Sequence, residues 1–282
     1  MSKINKTNIC LTFLTLTLLI NVTYSIDCTD EAWFVMVPIE KSILEQTILP
    51  PNFCLQKDHA LKHLFDDGFH PVLFEFGKQN DCQQKYVPFF KTTFVEMKME
   101  VPFVQTTDKG PNVFKPYIYV DSGMNNWSSY LFYGLPTQEA DKMVYNSDFY
   151  SVEFKGMKMT AKFTNTEENW GSLAQYPNFN NYIEAVKTPW FCGLKTFNIA
   201  QCAENHYKWD KMKIRPASVE LLFEGDILGK GLNGKSYKMD DITKSPIGAA
   251  QIVVPLSITF PGKCEFNPNA VCPDKFKSKE DI

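Results

Sequence analysis

The feature that most constrains the fold of this chain is the recurrence of short runs of β-branched and aromatic residues separated by turn-forming residues. Such runs are typical of β-strands. The predicted strands are Trp33–Pro38, Pro71–Phe76, Thr93–Val104, Pro116–Asp121, Ser128–Tyr133, Phe149–Phe154, Met157–Phe163, Ser218–Glu224 and Ala250–Phe260. Helical patterns are few, and the predicted helices are Ile39–Leu49, Thr137–Met143 and Phe179–Val186. The pattern indicates a mainly β (α+β) fold with a few short helices.

The N-terminus has the pattern of a secretory signal peptide. Lys3 and Lys6 precede the apolar run Ile9–Ile20, and small residues precede a cut before Ile26. The apolar run is too short to span a bilayer, and the alternative of an uncleaved membrane anchor would need a longer one. We therefore predict a signal peptide over residues 1–25, no membrane span after its removal, and a location outside the cell or in the lumen of the secretory pathway.

Residues 26–272 are predicted to form a single domain, with residues 162–213 as an insertion and residues 273–282 as a disordered tail. The chain is 44 % hydrophobic and 14 % aromatic, which suffices for a sizeable core. The formal net charge is −3, with acidic and basic residues interspersed, so nothing favours nucleic-acid binding. An oligomer is compatible with the sequence.

Cysteine usage favours disulfide bonds. Seven cysteines follow the signal peptide: Cys28, Cys54, Cys82, Cys192, Cys202, Cys264 and Cys272. In an oxidising compartment such cysteines are expected to pair. The short loops between them favour Cys192–Cys202 and Cys264–Cys272, and two of Cys28, Cys54 and Cys82 are expected to form a third bridge, leaving one unpaired. No CxxC motif occurs, and no metal site is predicted.

Few motifs carry chemistry. Residues Gly229 to Ser236 satisfy the phosphate-loop pattern GxxxxGK[ST], but no amphipathic helix follows before Pro246, so we interpret them as a glycine-rich loop between strands. No GxSxG or HExxH motif is present, and no cofactor is predicted. The sequon Asn126-Trp127-Ser128 predicts glycosylation of a surface residue, Asn126.

The run Thr93–Val104 alternates between apolar residues and charged ones. The apolar face holds Val95, Met97, Met99 and Val101, and the charged face holds Glu96, Lys98 and Glu100. A half-buried strand with its charged face in water explains this pattern. A second interpretation places Glu96 inside a closed barrel.

The order of several motifs resembles the acetoacetate decarboxylase family. The motifs are Val37-Pro38, Pro71–Phe76, Glu96 with Pro102, Tyr117–Asp121, Tyr133-Gly134-Leu135-Pro136, Phe154–Lys158 and Ala250–Pro255. The resemblance covers most of the chain from Trp33 to Phe266. It implies a closed, antiparallel, cone-shaped β-barrel around an apolar cavity, in which a lysine forms a Schiff base with a β-keto acid.

The resemblance also implies that the catalytic lysine pair is missing. In the family two lysines follow the proline of the Gly-x-Pro turn, and here those positions are Thr137 and Gln138. The family's Arg-Glu pair falls on Tyr130 and Leu131, and only the strand glutamate, matching Glu96, is retained. Because neither threonine nor glutamine can form an imine, the family's mechanism cannot operate at that position.

The sequence therefore leaves three functions open. The first is a secreted binding module that holds a small apolar or oxo-acid ligand beside Glu96, Tyr130, Tyr133, Thr137 and Gln138. The second is a decarboxylase-like carbon–carbon lyase that uses a relocated lysine or Glu96 as a catalytic acid–base. The candidate lysines are Lys98, Lys142, Lys155 and Lys158. The third is a structural extracellular glycoprotein.

Overall fold

A computed structural model of the chain describes residues 25–84, 87–107, 110–123, 125, 126, 129, 133–192, 201–267 and 269–272, with the side chains of residues 84 and 87–90 left aside. The predicted signal peptide, apart from Ser25, and the predicted tail 273–282 lie outside the described residues, as does Tyr130. Among the described residues, no helix has the length and apolar character needed to cross a membrane.

Strands dominate the described chain. They are β1 (Ser25–Glu40), β2 (Cys54–Leu55), β3 (Phe69–Gln84), β4 (Val87–Gln105), β5 (Asn112–Val120), β6 (Thr137–Glu139), β7 (Lys142–Tyr145), β8 (Phe149–Phe154), β9 (Met157–Asn165), β10 (Trp190–Cys192), β11 (Gln201–Ala203), β12 (Asn205–Tyr207), β13 (Lys213–Glu224), β14 (Ser236–Met239), β15 (Ala249–Thr259) and β16 (Gly262–Lys263). The mainly β prediction is confirmed.

Helices are short. Helix α1 (Lys41–Ile43) continues as a π-helical turn, Leu44–Ile48, and helix α2 (Asn180–Val186) follows a 3₁₀ turn, Pro177–Phe179. Further 3₁₀ turns are Lys62–Leu64, Trp209–Lys211 and Lys230–Leu232. The helices predicted over Ile39–Leu49 and Phe179–Val186 are thus confirmed to within a few residues.

Two predicted elements are wrong. The helix predicted over Thr137–Met143 is instead the strand pair β6 and β7, because Thr137 to Glu139 pair with Ile118 to Val120 of β5. The strand predicted over Ser128–Tyr133 is not found at Ser129 and Tyr133, its two described residues, which are helical. In the first case the pairing with β5 overrides a weak local preference for helix.

The strands form one large sheet with the order β16-β11-β10-β5-β4-β3-β1-β15-β13-β9-β8-β7. Most neighbours are antiparallel, whereas β5 pairs in parallel with β6 and β10. Within the described residues no ladder of hydrogen bonds joins β16 to β7. The closed barrel predicted from the resemblance is therefore not confirmed by the hydrogen bonding.

The central strands are buried on both faces. In β1, Trp33 and Val35 face a first core, which also contains residues of β8, β9 and β13. Phe34 and Met36 face a second core on the opposite side, where helix α2 covers the sheet. Further along the same side, residues of β5 and β10 form a third core. Because β1, β3 and β4 have no solvent-facing side here, a charged residue within them is buried whichever way it points.

The bridge predicted between two of Cys28, Cys54 and Cys82 is confirmed, whereas the predicted bridges Cys192–Cys202 and Cys264–Cys272 are wrong. The bonds are Cys28–Cys82, Cys54–Cys272 and Cys202–Cys264, and Cys192 is the free, buried cysteine. Cys202 lies opposite Phe191 in the β10–β11 ladder. Cys192, one residue further along, therefore points to the other face of the hairpin, and the predicted Cys192–Cys202 bridge cannot form.

The glycine-rich segment forms the connection between β13 and β14 rather than a phosphate loop. Gly229 has a φ of 90°, and a 3₁₀ turn, Lys230–Leu232, takes the place of a long helix. Strands β13 and β14 then pair through Val219 to Leu222. This confirms the interpretation as a loop between strands.

Candidate functional site

The charged side of strand β4 is buried. Glu96, Lys98 and Glu100 are all nearly inaccessible to solvent, so the interpretation that this side faces water is wrong. The opposite side of β4 packs Met97 and Met99 into the first core. The alternation in the sequence thus separates two buried environments, one apolar and one charged.

Lys98 is the centre of this charged environment. Its Nζ lies 2.6 Å from Oε1 of Glu75 and 2.9 Å from Oε1 of Glu96. Gln79 donates a hydrogen bond from Nε2 to the same Glu96 oxygen, at 2.6 Å. Glu75 lies directly opposite Lys98 in the β3–β4 ladder, and Gln79 lies on the same side further along β3. Strand pairing therefore brings these side chains together.

The electrostatic environment keeps Lys98 protonated. Burial acts to lower the pKa of its ammonium group, but the adjacent Glu75 and Glu96 outweigh burial and raise that pKa well above its ordinary value. An ammonium group has no lone pair and cannot attack a carbonyl. In this arrangement Lys98 is a hydrogen-bond donor rather than a nucleophile.

Two carboxyl groups near Lys98, those of Asp30 and Glu75, have raised pKa values. Burial raises the pKa of Asp30 from 3.8 to about 7, against the opposing effect of Lys98. Burial also raises the pKa of Glu75 well above its ordinary value, and the negative charge of the nearby Asp30 acts in the same direction. A proton held within this pair lowers the negative charge of the cluster.

A second buried ion pair lies on the same side of the sheet. The Nζ of Lys115 in β5 is 2.7 Å from Oε1 of Glu100, and it lies 4.6 Å from the centre of the Trp190 ring. Lys98 and Lys115 are the buried lysines of the described chain. Each is held by at least one carboxylate.

Two of the pocket residues predicted from the sequence, Thr137 and Gln138, lie on opposite faces of the sheet. Thr137 lies in one row of side chains with Glu75, Lys98 and Ile118, since these four are successive partners across β3 to β6. Gln138 points to the opposite face, where its side chain interacts with the hydroxyl of Tyr119 in the first core. The position of the family's first lysine therefore lies on the face of Lys98, and the second position does not.

Tyr133 and Thr137 carry buried hydroxyl groups without hydrogen-bond partners among the described residues. Tyr133 packs into the third core with Ile118 and Leu135. Burial raises the pKa of the Tyr133 phenol, so this hydroxyl stays protonated at neutral pH. Buried polar groups are almost always hydrogen-bonded, so these two hydroxyls keep an unused capacity to donate a hydrogen bond.

Four side chains in and beside the cluster keep a small solvent-accessible surface. The side chains of Lys98 and Glu96 keep 5 % and 7 % of their surface accessible, and Tyr133 and Thr137 keep 7 % and 8 %. On the other side of the cluster Glu75 is fully buried. The part of the cluster formed by β4 to β6 therefore keeps more accessible surface than the part formed by Asp30 and Glu75.

The other sequence candidates lie elsewhere. Lys142 and Lys155 are exposed, and Lys158 forms a partly exposed ion pair with Glu153 at 3.1 Å. Asn126 is half-buried. Of the lysines considered for relocation, only Lys98 is buried beside the predicted pocket.

Sequence reasoning missed four members of the cluster: Asp30, Glu75, Gln79 and Lys115. Glu75 carried a usable signal, because it stands inside the apolar run Pro71–Phe76 where a solvent-facing side chain is not expected. Asp30 and Gln79 have no such context in the sequence. Their burial follows only from the pairing of β1 with β3.

The fold is that of acetoacetate decarboxylase. Among solved structures, acetoacetate decarboxylase from Legionella pneumophila is similar with a TM-score of 0.56 and 16 % identity, over 86 % of this chain and 87 % of that one. An acetoacetate decarboxylase-like enzyme from Sphingomonas wittichii has a TM-score of 0.53 and 9 % identity, over 86 % and 94 %. The resemblance stated from the motif order is confirmed at the level of the fold.

A third similar structure is the enduracididine biosynthesis enzyme MppR, solved with the condensation product of pyruvate and imidazole 4-carboxaldehyde. Its TM-score is 0.51 and its identity 12 %, over 84 % of this chain and 87 % of that one. No protein-family model matches the sequence, and no curated protein matches it. At these identities the likeness concerns the fold alone.

Proposed function

We propose that this protein is a secreted binding protein of the acetoacetate decarboxylase fold, which holds a small, largely apolar molecule beside Lys98 without forming an imine. The observation that carries the proposal is the ammonium group of Lys98 held between Glu75 and Glu96, at 2.6 Å and 2.9 Å. Such a group donates hydrogen bonds but does not add to a carbonyl. The apolar third core and the hydroxyls of Tyr133 and Thr137 supply the remaining contacts for a ligand.

Secretion is part of the proposal. The pattern of residues 1–25 favours export, and the three disulfide bonds are compatible with an oxidising compartment. A closed chamber around the ligand, as in the predicted barrel, is also proposed. It would shield the buried ion pairs from water.

Borohydride trapping tests the absence of imine chemistry. The purified protein is incubated with acetoacetate or pyruvate, treated with borohydride, and analysed by intact mass spectrometry. We expect no covalent adduct, because reduction fixes a ligand only where an imine has formed. A stable adduct on the wild-type protein that is lost in Lys98→Met would contradict the binding function.

Native mass spectrometry tests the ligand itself. Protein purified from a secreting host is expected to carry a small bound molecule, which is released on denaturation. The matched control is Tyr133→Phe, whose loss of a hydroxyl should lower the occupied fraction. A wild-type protein without any bound molecule, and without affinity for small ketones, alcohols or carboxylates, would refute the proposal.

A lyase that uses Lys98 is the second candidate, because one observation favours it. Lys98 lies in the same row of side chains as Thr137, the position at which the family resemblance places a catalytic lysine. Lys98 would first have to give its proton to a carboxylate, and Glu75, whose pKa burial raises, lies 2.6 Å away as the acceptor. The amine could then condense with a β-keto acid and release water, and loss of CO₂ would leave an enamine that takes up a proton and is hydrolysed.

The two candidates differ in measurable ways. The lyase consumes acetoacetate and releases CO₂ at a rate that Lys98→Met abolishes and that the exposed control Lys158→Met leaves unchanged. The binding protein does neither. The trapping experiment and this assay together assign the function.

A further inference from the structure

The buried charged side of the sheet, formed by β1, β3, β4 and β5, carries more acidic than basic groups. Its carboxyl groups are Asp30, Glu75, Glu96 and Glu100, and its ammonium groups are Lys98 and Lys115. Lys98 contacts two carboxylates and Lys115 contacts one. Among the described residues, no buried lysine is left without a carboxylate partner to pair with an incoming anion.

The single arginine of the chain is also engaged elsewhere. Arg215 hydrogen-bonds Gln251 and lies over the Trp170 ring at 4.8 Å. Gln251 lies opposite Trp33 in the β1–β15 ladder, on the side of the first core. Arg215 therefore does not supply the bidentate contact by which proteins commonly bind carboxylates.

A carboxylate ligand would be poorly tolerated beside this cluster. Transfer of an anion from water into a buried site is costly unless a cation compensates it. Glu96 and Glu100 would in addition repel it, because charges interact more strongly in a medium of low dielectric constant. A neutral molecule meets neither obstacle.

The two unsatisfied hydroxyls fit the polar end of a neutral molecule. The hydroxyls of Tyr133 and Thr137 can each donate to a carbonyl oxygen, and either can accept from an alcohol. Around them the surface is apolar and aromatic. The Tyr133 ring lies 5.6 Å from Trp190 and 5.9 Å from Phe260, with Ile118 and Leu135 in the same core.

We infer that the space beside Lys98 selects neutral ketones or alcohols and rejects oxo-acids, and that Tyr133 and Thr137 bind the ligand's oxygen. This inference rests on the proposed binding function and narrows its ligand class. A site for a keto acid would require an unpaired cation to bind the carboxylate. Among its described residues, the inferred site has no such cation and therefore differs from a site for a keto acid.

Isothermal titration with a matched pair of probes tests the charge selection. 2-Heptanone and hexanoate have nearly the same size and shape and differ in charge. We expect hexanoate to bind the wild-type protein at least about tenfold more weakly than 2-heptanone at neutral pH, because the carboxylate finds no partner. Equal or tighter binding of hexanoate overturns the inference while leaving the binding function intact.

Two isosteric variants test the role of the hydroxyls. Tyr133→Phe and Thr137→Val should each weaken binding of 2-heptanone about five- to tenfold, the effect of one lost hydrogen bond. The matched control is Tyr150→Phe, which also removes a buried, unpartnered hydroxyl but lies in the first core on the other face of the sheet. The control should bind 2-heptanone as the wild type does.

The remaining outcomes are also decisive. Unchanged affinity in both Tyr133→Phe and Thr137→Val overturns the assignment of the hydroxyls. An equal loss in Tyr150→Phe overturns it as well, because the effect would then be one of general destabilisation. If neither probe binds the wild-type protein, the inference fails together with the proposed function.

Discussion

At the scale of single residues, Lys98 has the most unusual environment in the described chain. Its ammonium group is buried and contacts two carboxylates, and a third carboxyl group, that of Asp30, interacts with the cluster. Removal of one member of such a cluster leaves the others buried without compensation, which costs more than the intact cluster contributes. Stability measurements on single variants therefore report directly on this arrangement.

Replacement of Lys98 by methionine should destabilise the protein strongly. We expect Lys98→Met to lower the free energy of unfolding by about 3–5 kcal/mol, because Glu75 and Glu96 lose their counter-ion. The double variant Lys98→Met/Glu96→Gln should recover part of this loss, since it removes one uncompensated charge. Urea denaturation monitored by tryptophan fluorescence measures both.

The control for this experiment is Lys158→Met. Lys158 forms an ion pair with Glu153 at 3.1 Å, but both side chains are more than one third exposed. Its replacement should change the free energy of unfolding by about 0–1 kcal/mol. A loss of similar size in Lys98→Met would contradict the buried ion-pair cluster.

The buried acid Asp30 should make stability depend on pH. Its pKa is about 7 in the folded protein and 3.8 when exposed, so the folded state binds more protons between these values. The free energy of unfolding should therefore fall as pH rises from about 4 to about 7, by at most about 1.4 kcal/mol per pH unit from this group. Below about pH 4 and above about pH 7, the contribution of Asp30 to the free energy of unfolding is constant.

Two histidines change the free energy of unfolding in the opposite direction with pH. The effect of Asp30 is therefore measured as the difference between the wild type and an Asp30 variant. Burial lowers the pKa of His70 to about 3 and that of His59 to about 4, and these groups reduce stability as pH falls below 6.5. The pH profile of Asp30→Asn, subtracted from that of the wild type, removes their effect. A difference that does not change between pH 4 and pH 7 would show that Asp30 titrates normally.

At the scale of elements, β4 shows how a strand can be buried on both faces and still alternate between apolar and charged residues. One face contributes Met97 and Met99 to the first core, and the other contributes Glu96 and Lys98 to the charged cluster. The same strand pairs with both β3 and β5, which places Glu75 and Ile118 on either side of Lys98. The site is therefore built on regular strands rather than on loops.

The β8–β9 hairpin offers a prediction about turn chemistry. Its turn residues Lys155 and Gly156 have φ values of 50° and 77°, as a two-residue type I′ turn requires. Asparagine adopts this conformation more readily than lysine, so Lys155→Asn should raise the free energy of unfolding by about 0.5–1 kcal/mol. Thermal denaturation measures the effect.

The comparison variant is Lys158→Asn, which places asparagine inside strand β9. Asparagine is unfavourable in strands, so this variant should be neutral or less stable than the wild type. The Lys155 ammonium lies 4.8 Å from the centre of the Phe154 ring, an exposed contact that the substitution removes. Destabilisation by Lys155→Asn would mean that this contact outweighs the gain in the turn.

At the scale of the whole molecule, disulfide bonds connect distant parts of the chain. Cys54–Cys272 joins residues 218 positions apart, and Cys28–Cys82 and Cys202–Cys264 span 54 and 62 positions. The first ties the end of the described chain to strand β2, which pairs with β4. These bonds restrict the unfolded chain and thereby stabilise the folded one.

Peptide mapping without reduction tests this connectivity. Protein from a secreting host should yield the three linked peptide pairs, and alkylation after unfolding should label Cys192 alone among the seven cysteines from Cys28 to Cys272. A Cys192–Cys202 peptide would contradict the structure. The variant Cys54→Ser/Cys272→Ser should lose about 2–4 kcal/mol of stability, whereas Cys192→Ser should keep all three bridges.

Sequence by itself determined the mainly β character, the long strand with Glu96, the helix over Phe179–Val186, and, through the order of its motifs, the fold. These follow from local patterns, because side-chain periodicity and turn residues act over short stretches of chain. It also determined that Thr137 and Gln138 stand where the family resemblance expects lysines.

Only the tertiary structure decided which charged residues are buried, which of Thr137 and Gln138 faces Lys98, and how the cysteines pair. The alternation of apolar and charged residues along β4 is the same whether the charged face is exposed to water or buried beneath other elements of the protein. The difference arises from strands and a helix that are distant in sequence, such as β1, β3 and α2. Contacts between distant segments depend on the whole chain, and a local pattern does not contain them.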